Sequence, residues 1–234
     1  MASDPASDPT ILVTGAYKGI GLEVVRQLAA RDARVFLTAR KREPAERALA
    51  GIQGRAQYFP LDVGDPSSIA AAARAIAAET DHLDVLVNNA AILLDDGDSV
   101  LDLDGDIALR TFATNTVGPL RVTQAFHALL AKSRGPRVIN VSSGAGQLAE
   151  GLQDWAPAYS MSKSALNALT QHFAAALPSF AVNSVSPGWV RTDMGGDAAP
   201  LSVEEGADTI VWLALDAPQS LTGHFLRERK PIAW

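Results

Sequence analysis

Thr10-Ile11-Leu12-Val13-Thr14-Gly15-Ala16-Tyr17-Lys18-Gly19-Ile20-Gly21 is the stretch on which the reading of the chain turns. Thr10 to Val13 is largely apolar and β-branched, the pattern of a short buried strand. The glycines after it let the backbone turn tightly and come close to a ligand. Leu22 to Ala30 then has helical spacing, with Leu22, Val25 and Leu28 on one side. A helix starting from such a turn aims free N–H groups and the positive end of its dipole at the turn, which favours a pyrophosphate. A glycine turn without a ligand is the plain alternative. The position between the first strand and the first helix speaks against it.

Outward from this loop, short β-type runs alternate with helical ones. Strands are expected at Arg34 to Thr38, Arg55 to Leu61, Leu83 to Val87, Arg137 to Val141 and Ala181 to Val185, with a last short one at Thr222 to Phe225. Helices are expected at Ser67 to Glu79, Ile107 to Ala131, Tyr159 to Leu177 and Val203 to Leu215. In the Ala-rich segment Ile69, Ala73 and Ile76 make one face, so it reads as a helix rather than a low-complexity tract. This alternation implies an α/β fold: one doubly wound Rossmann-type domain, a parallel sheet of about seven strands with helices on both faces. It is expected to span residues 10–234, after a disordered lead-in of small polar residues over 1–9. Ligands of such folds sit at the carboxyl ends of the strands, so the residues just after each strand carry the chemistry.

Composition narrows the function. The 234 residues are 47% apolar and 20% charged, which is globular usage. The formal charge of -6 disfavours non-specific binding to nucleic acid or an anionic membrane. The chain has no cysteine, which excludes disulfides, zinc–thiolate sites, iron–sulfur ligation and a cysteine nucleophile. Four scattered histidines show no metal-ligand spacing, so no metal site is expected. No basic start and apolar core of a signal peptide is visible, and a cytoplasmic protein is the expectation.

The loop spacing is Gly-xxx-Gly-x-Gly. With the preceding threonine, Thr14-Gly15-xxx-Gly19-Ile20-Gly21 resembles the signature of the short-chain dehydrogenase/reductase family, and within it most resembles the NADPH-dependent carbonyl reductases. The resemblance runs from Ile11 to Trp234. Tyr159 and Lys163, four apart, would share one helix face one turn apart. A tyrosine hydroxyl with a pKa near ~10 is a poor acid or base at neutrality, and a nearby ammonium lowers it. The strand Val138-Ile139-Asn140-Val141 ends in two hydroxyls, and the resemblance assigns the substrate hydrogen bond to Ser143, with Ser142 the less favoured choice. Asn115 matches the helix asparagine that in the family holds a water for a proton relay. The resemblance therefore implies a catalytic set of Asn115, Ser143, Tyr159 and Lys163.

It also implies a cofactor site. The glycine loop contributes Gly15, Tyr17, Lys18, Gly19, Ile20 and Gly21. Asp62 and Val63 would contact adenine, and Asn88 and Ala90 would lie near the ribose. Pro187, Gly188, Val190 and Thr192 would hold the carboxamide, and Tyr159 and Lys163 would reach the nicotinamide ribose. Ala91 stands where the family usually has glycine and would be strained if φ were positive there. Trp155, Met161, Trp189 and Met194 are candidate pocket residues. At the end of the second strand an acidic residue would bind the 2′-OH of NAD, whereas an arginine nearby accepts the 2′-phosphate of NADP. Here the acidic position is Ala39, and Arg40 follows with paired donors suited to phosphate. Lys18 adds a second charge. NADP(H) is the expected cofactor, and a ketone or aldehyde, or the matching alcohol, the expected small-molecule partner. Apolar residues on more than one side of the two long helices also suggest a homodimer or homotetramer. Two rivals stay open: an alcohol dehydrogenase working oxidatively, and a non-catalytic NADP(H)-sensing regulator.

Overall fold

In the computed structural model, which describes residues 8–234, eight strands form one sheet in the order β3-β2-β1-β4-β5-β6-β7-β8. The strands are β1 (Thr10–Val13), β2 (Arg34–Ala39), β3 (Arg55–Pro60), β4 (Val85–Asn88), β5 (Arg137–Val141), β6 (Ala181–Val185), β7 (Phe225–Arg227) and β8 (Lys230–Ile232). All neighbours are parallel except β7 and β8, which form an antiparallel hairpin. The strand order reverses between β1 and β4, the place where doubly wound sheets open a crevice.

The helices are α1 (Gly19–Ala29), α2 (Arg42–Leu49), α3 (Pro66–Ala77), α4 (Gly105–Phe112), α5 (Gly118–Leu130), α6 (Pro157–Ala176) and α7 (Val203–Leu215). They cover both faces because the strands alternate. Ile11 and Val13 point into one core with α1 and α7, while Leu12 points into the other with α3 and α5. All three are fully buried.

Four expectations change. The sheet has eight strands, and the seventh begins at Phe225 rather than Thr222. The helix expected over 107–131 is α4 and α5 joined by one turn of π-helix, Ala113–Val117, which shifts the register at Asn115. The turn after Arg40 runs into α2, which the sequence reading left out. Of the lead-in, residues 1–7 lie outside the described residues, but Asp8 and Pro9 belong to the fold: Asp8 pairs with Arg55 at 2.5 Å and the Pro9 carbonyl accepts from Arg34 N–H. Among the described residues of the two long helical segments, Leu109 and Met161 are the large apolar side chains that stand exposed.

Candidate active site

A cleft of about 1510 Å³ lies along the carboxyl ends of the strands. Its nucleotide end is built from backbone. Gly15 and Gly19 hold φ of 62° and 55°, and a methyl group on Gly15 would stand 2.8 Å from Ala90 Cα. Thr14 ties the loop to the end of β4, its hydroxyl accepting from Asn89 N–H at 3.0 Å and Ala90 N–H at 3.1 Å. The Asn89 amide donates to the carbonyls of Thr14 and Gly15. Helix α1 starts behind this loop with no side-chain cap and no acidic residue in its first turn, so its N–H groups face the cleft.

Tyr17, Lys18, Ile20, Gly21, Asp62, Val63, Ala90, Pro187, Gly188, Val190 and Thr192 all line this cleft. Asn88 does not. It is buried, and its amide donates to Asn140 Oδ1 at 2.9 Å and Thr123 Oγ1 at 3.2 Å. Asn140 continues this polar seam to Thr170, which meets Ser184. Strand pleating explains the exchange: Asn88 is the last paired residue of β4 and points into the seam, so the cleft receives Asn89. Ala91 has no positive φ, so the missing glycine costs nothing.

The cations Arg40, Lys41 and Arg42 that follow β2 are not equivalent. Arg42 pairs with Glu46 one helical turn on, at 3.0 Å, and lies over the Tyr58 ring. Arg40 lines the cleft beside buried Ala39 and makes no salt bridge among the described residues. Lys18 reaches across the cleft mouth to Asp193 at 2.6 Å. The Asp193 carboxylate holds the Lys18 ammonium above its ordinary range, and Lys18 holds Asp193 below its own. A bare helix N-terminus, Gly15 packed against Ala90, and a free arginine beside a neutral Ala39 together fit a dinucleotide carrying a 2′-phosphate.

The reaction end is built from buried side chains. Tyr159, Lys163 and Ser143 meet on the cleft floor. Ser142 also borders the cleft, but its hydroxyl is committed to the Lys163 carbonyl at 3.3 Å. Lys163 is 2% exposed; its Nζ lies 5.5 Å from the Tyr159 ring centroid and donates to Val141 O at 2.8 Å. Burial pushes the lysine down to about 7. Burial also pushes the Tyr159 hydroxyl up, and the Ser143 hydroxyl pulls it partly back. For Tyr159, burial is the larger influence and the Ser143 hydroxyl the opposing one.

Asn115 is buried outside the cleft lining. Its amide donates to Ile92 O at 2.8 Å and Ser162 Oγ at 3.0 Å, and its Oδ1 accepts from Ile92 N–H. The side chain thus clamps the loop after β4 to α6, with both amide N–H groups committed within the protein. A residue missed in the sequence does similar work. Asp95 is buried and its carboxylate accepts from Ala158 N–H at 2.6 Å at the start of α6, one residue before Tyr159. Ala156 enters that helix at φ 46°, a conformation costly for alanine. Of the pocket candidates, Trp155, Trp189 and Met194 line the cleft and Met161 does not.

A family model described as short chain dehydrogenase matches residues 9–200. The chain belongs to that family. Among relatives of this short-chain dehydrogenase, (+)-neomenthol dehydrogenase of Arabidopsis thaliana is 32% identical, covering 95% of this chain and 96% of the relative. Carbonyl reductase 1 (NADPH) of Sus scrofa is also 32% identical, covering 95% and 93%. Two solved structures superpose with a TM-score of 0.87: NADPH-bound carbonyl reductase from chicken fatty liver, 31% identical with 97% of this chain and 94% of that one covered, and carbonyl reductase Sniffer of D. melanogaster, 30% identical with 97% and 100% covered.

Proposed function

We propose that this chain reduces the carbonyl of a ketone or aldehyde to the alcohol with NADPH, in a reversible reaction. The convergence of Ser143, Tyr159 and Lys163 at the end of a dinucleotide-shaped cleft carries the reading. The nicotinamide nucleotide supplies the hydride when bound. Tyr159 holds a proton that burial keeps on its hydroxyl, where a developing alkoxide takes it up. Ser143 donates a hydrogen bond to the same oxygen and stabilises its growing charge. Lys163 faces the tyrosine ring and offers positive charge when protonated. Gly15, Gly19 and α1 would cradle the pyrophosphate, Arg40 and Lys18 the 2′-phosphate, Asp62 and Val63 the adenine, and Val190 and Thr192 the carboxamide.

Relatives named for both reductase and dehydrogenase chemistry support reversibility. Exposed Leu94, Trp155, Trp189 and Met194 line the cleft, and support a substrate with an apolar body. Residence in the cytoplasm belongs to the same reading, supported by a chain without cysteine; among the described residues no helix is long and apolar enough to cross a membrane. Pairing into a homodimer or homotetramer through the α5 and α6 faces is also part of it. Light scattering would show a mass above 24.6 kDa. Following NADPH consumption at 340 nm across neutral ketones and aldehydes tests the whole. Turnover with NADPH well above NADH is expected. Tight NADPH binding without any turnover would favour the regulator.

A further inference from the structure

We infer that Arg227 makes this site selective for carbonyl substrates that carry a carboxylate, that is, for oxo acids. The inference rests on the carbonyl-reductase reading and names its substrate class.

Arg227 ends β7, beside the carboxyl end of β6, and its side chain enters the same cleft as Ser143 and Tyr159. Its place is next to the reacting groups. A methyl group on Gly144, the residue after Ser143, would stand 2.7 Å from Arg227 Nη2 and 3.9 Å from Ser186 Oγ. The guanidinium fills the space that a side chain at position 144 would occupy.

The charge is also uncommitted. Arg227 is partly buried, its Nε is buried without a hydrogen-bond partner, and it makes no salt bridge among the described residues. The neighbouring Arg229 is neutralised by Asp208, so the contrast is local. Carboxylates lining the cleft are engaged elsewhere. Asp62 accepts from Gly64 N–H, Asp65 caps α3, Asp96 accepts from Trp155, and Asp193 holds Lys18. A cation partly removed from water with unused donors is costly to keep unless an anion meets it. One planar fork matches a carboxylate in two parallel hydrogen bonds, while a phosphate dianion would call for more than one cation. The apolar rim of Trp155, Trp189 and Leu94 would take the rest of the molecule.

The test pairs acids with their methyl esters: benzoylformate, acetoacetate and 4-oxopentanoate. With NADPH saturating, kcat/KM for the acid is expected to exceed that for the ester in at least one pair by roughly 10- to 100-fold, the worth of a charge-assisted hydrogen bond. Arg227→Gln should remove that advantage, and Arg227→Lys should restore part of it. Calorimetry of mandelate against methyl mandelate, with NADP+ present, gives the same comparison without turnover. Esters equal to or better than acids in every pair, or an acid-to-ester ratio unmoved in a folded Arg227→Gln protein, would overturn the inference and leave carbonyl reduction standing. Failure to reduce any neutral ketone, ester or acid would overturn both.

Discussion

The two ends of the cleft work by different means. The nucleotide end depends on what is missing: side chains at Gly15 and Gly19, an acid at Ala39, a cap on α1. Its charged groups, Lys18 and Arg40, are exposed. The reaction end depends on what is buried: Tyr159, Lys163, Asn115 and Asp95 are between 1% and 8% exposed. Exposed charges in high dielectric act weakly and in increments. Buried polar groups act through satisfied networks, in which one loss is felt in full. Cofactor choice should thus be adjustable residue by residue, whereas turnover should not.

Four experiments would break or sharpen that contrast. The largest effect belongs to Tyr159→Phe, which removes the proton donor. It should lower kcat by roughly 10²–10⁴-fold while NADPH affinity, read by fluorescence titration, stays within a factor of a few. Near wild-type turnover would remove Tyr159 as the acid.

Next comes the Ala39→Asp, Arg40→Ser double substitution. It places a carboxylate at the ribose and withdraws a phosphate donor, and should shift the NADPH-to-NADH ratio of kcat/KM by about 10- to 100-fold. An unchanged ratio would mean that neither residue reads the 2′ position.

A stability measurement probes the reaction end. With the Lys163 pKa at about 7 in the folded chain and 10.5 as the ordinary value, the unfolded chain holds the extra proton between these limits. Stability contributed by this group therefore rises with pH across that window and is flat below it. From pH 7 to 9 urea unfolding should gain roughly 2 kcal/mol in wild type relative to Lys163→Met. Parallel pH profiles would show that burial does not depress the amine.

The smallest effect is at the cleft mouth. Asp193→Asn frees Lys18 from its exposed partner and should tighten NADPH binding about two- to fivefold at low salt, with the gain fading at high salt. Weaker binding instead would mean that the pair holds the mouth in shape for the cofactor.

The strand–helix alternation and the glycine loop were legible because both follow from periodicity and turn chemistry. The parts that escaped lack such signals. Helix α2 buries one residue, Ala45, so REPAERAL shows no apolar face. Strand β8 is three residues long and contains a proline. The π-turn inserts no special residue type; it changes hydrogen-bond register within a helical run. In Asn88-Asn89 the two residues are identical in kind, and only the pleat decides which one meets the cleft. Asp95 and Arg227 are single charges whose work depends on partners far along the chain.

The eighth strand has one more consequence. Parallel sheets with open edges invite another strand to add on, and both edges here are blunted. At one rim β3 ends in Pro60 and begins with exposed Arg55; at the other β8 places exposed Lys230 beside Pro231. Proline offers no N–H for a further ladder, and a charged side chain on an edge would lose its hydration or its partner if another strand covered it. A continuous sheet running from one molecule into the next is therefore disfavoured, and concentrated solutions should resist growth of a sheet by edge-to-edge addition.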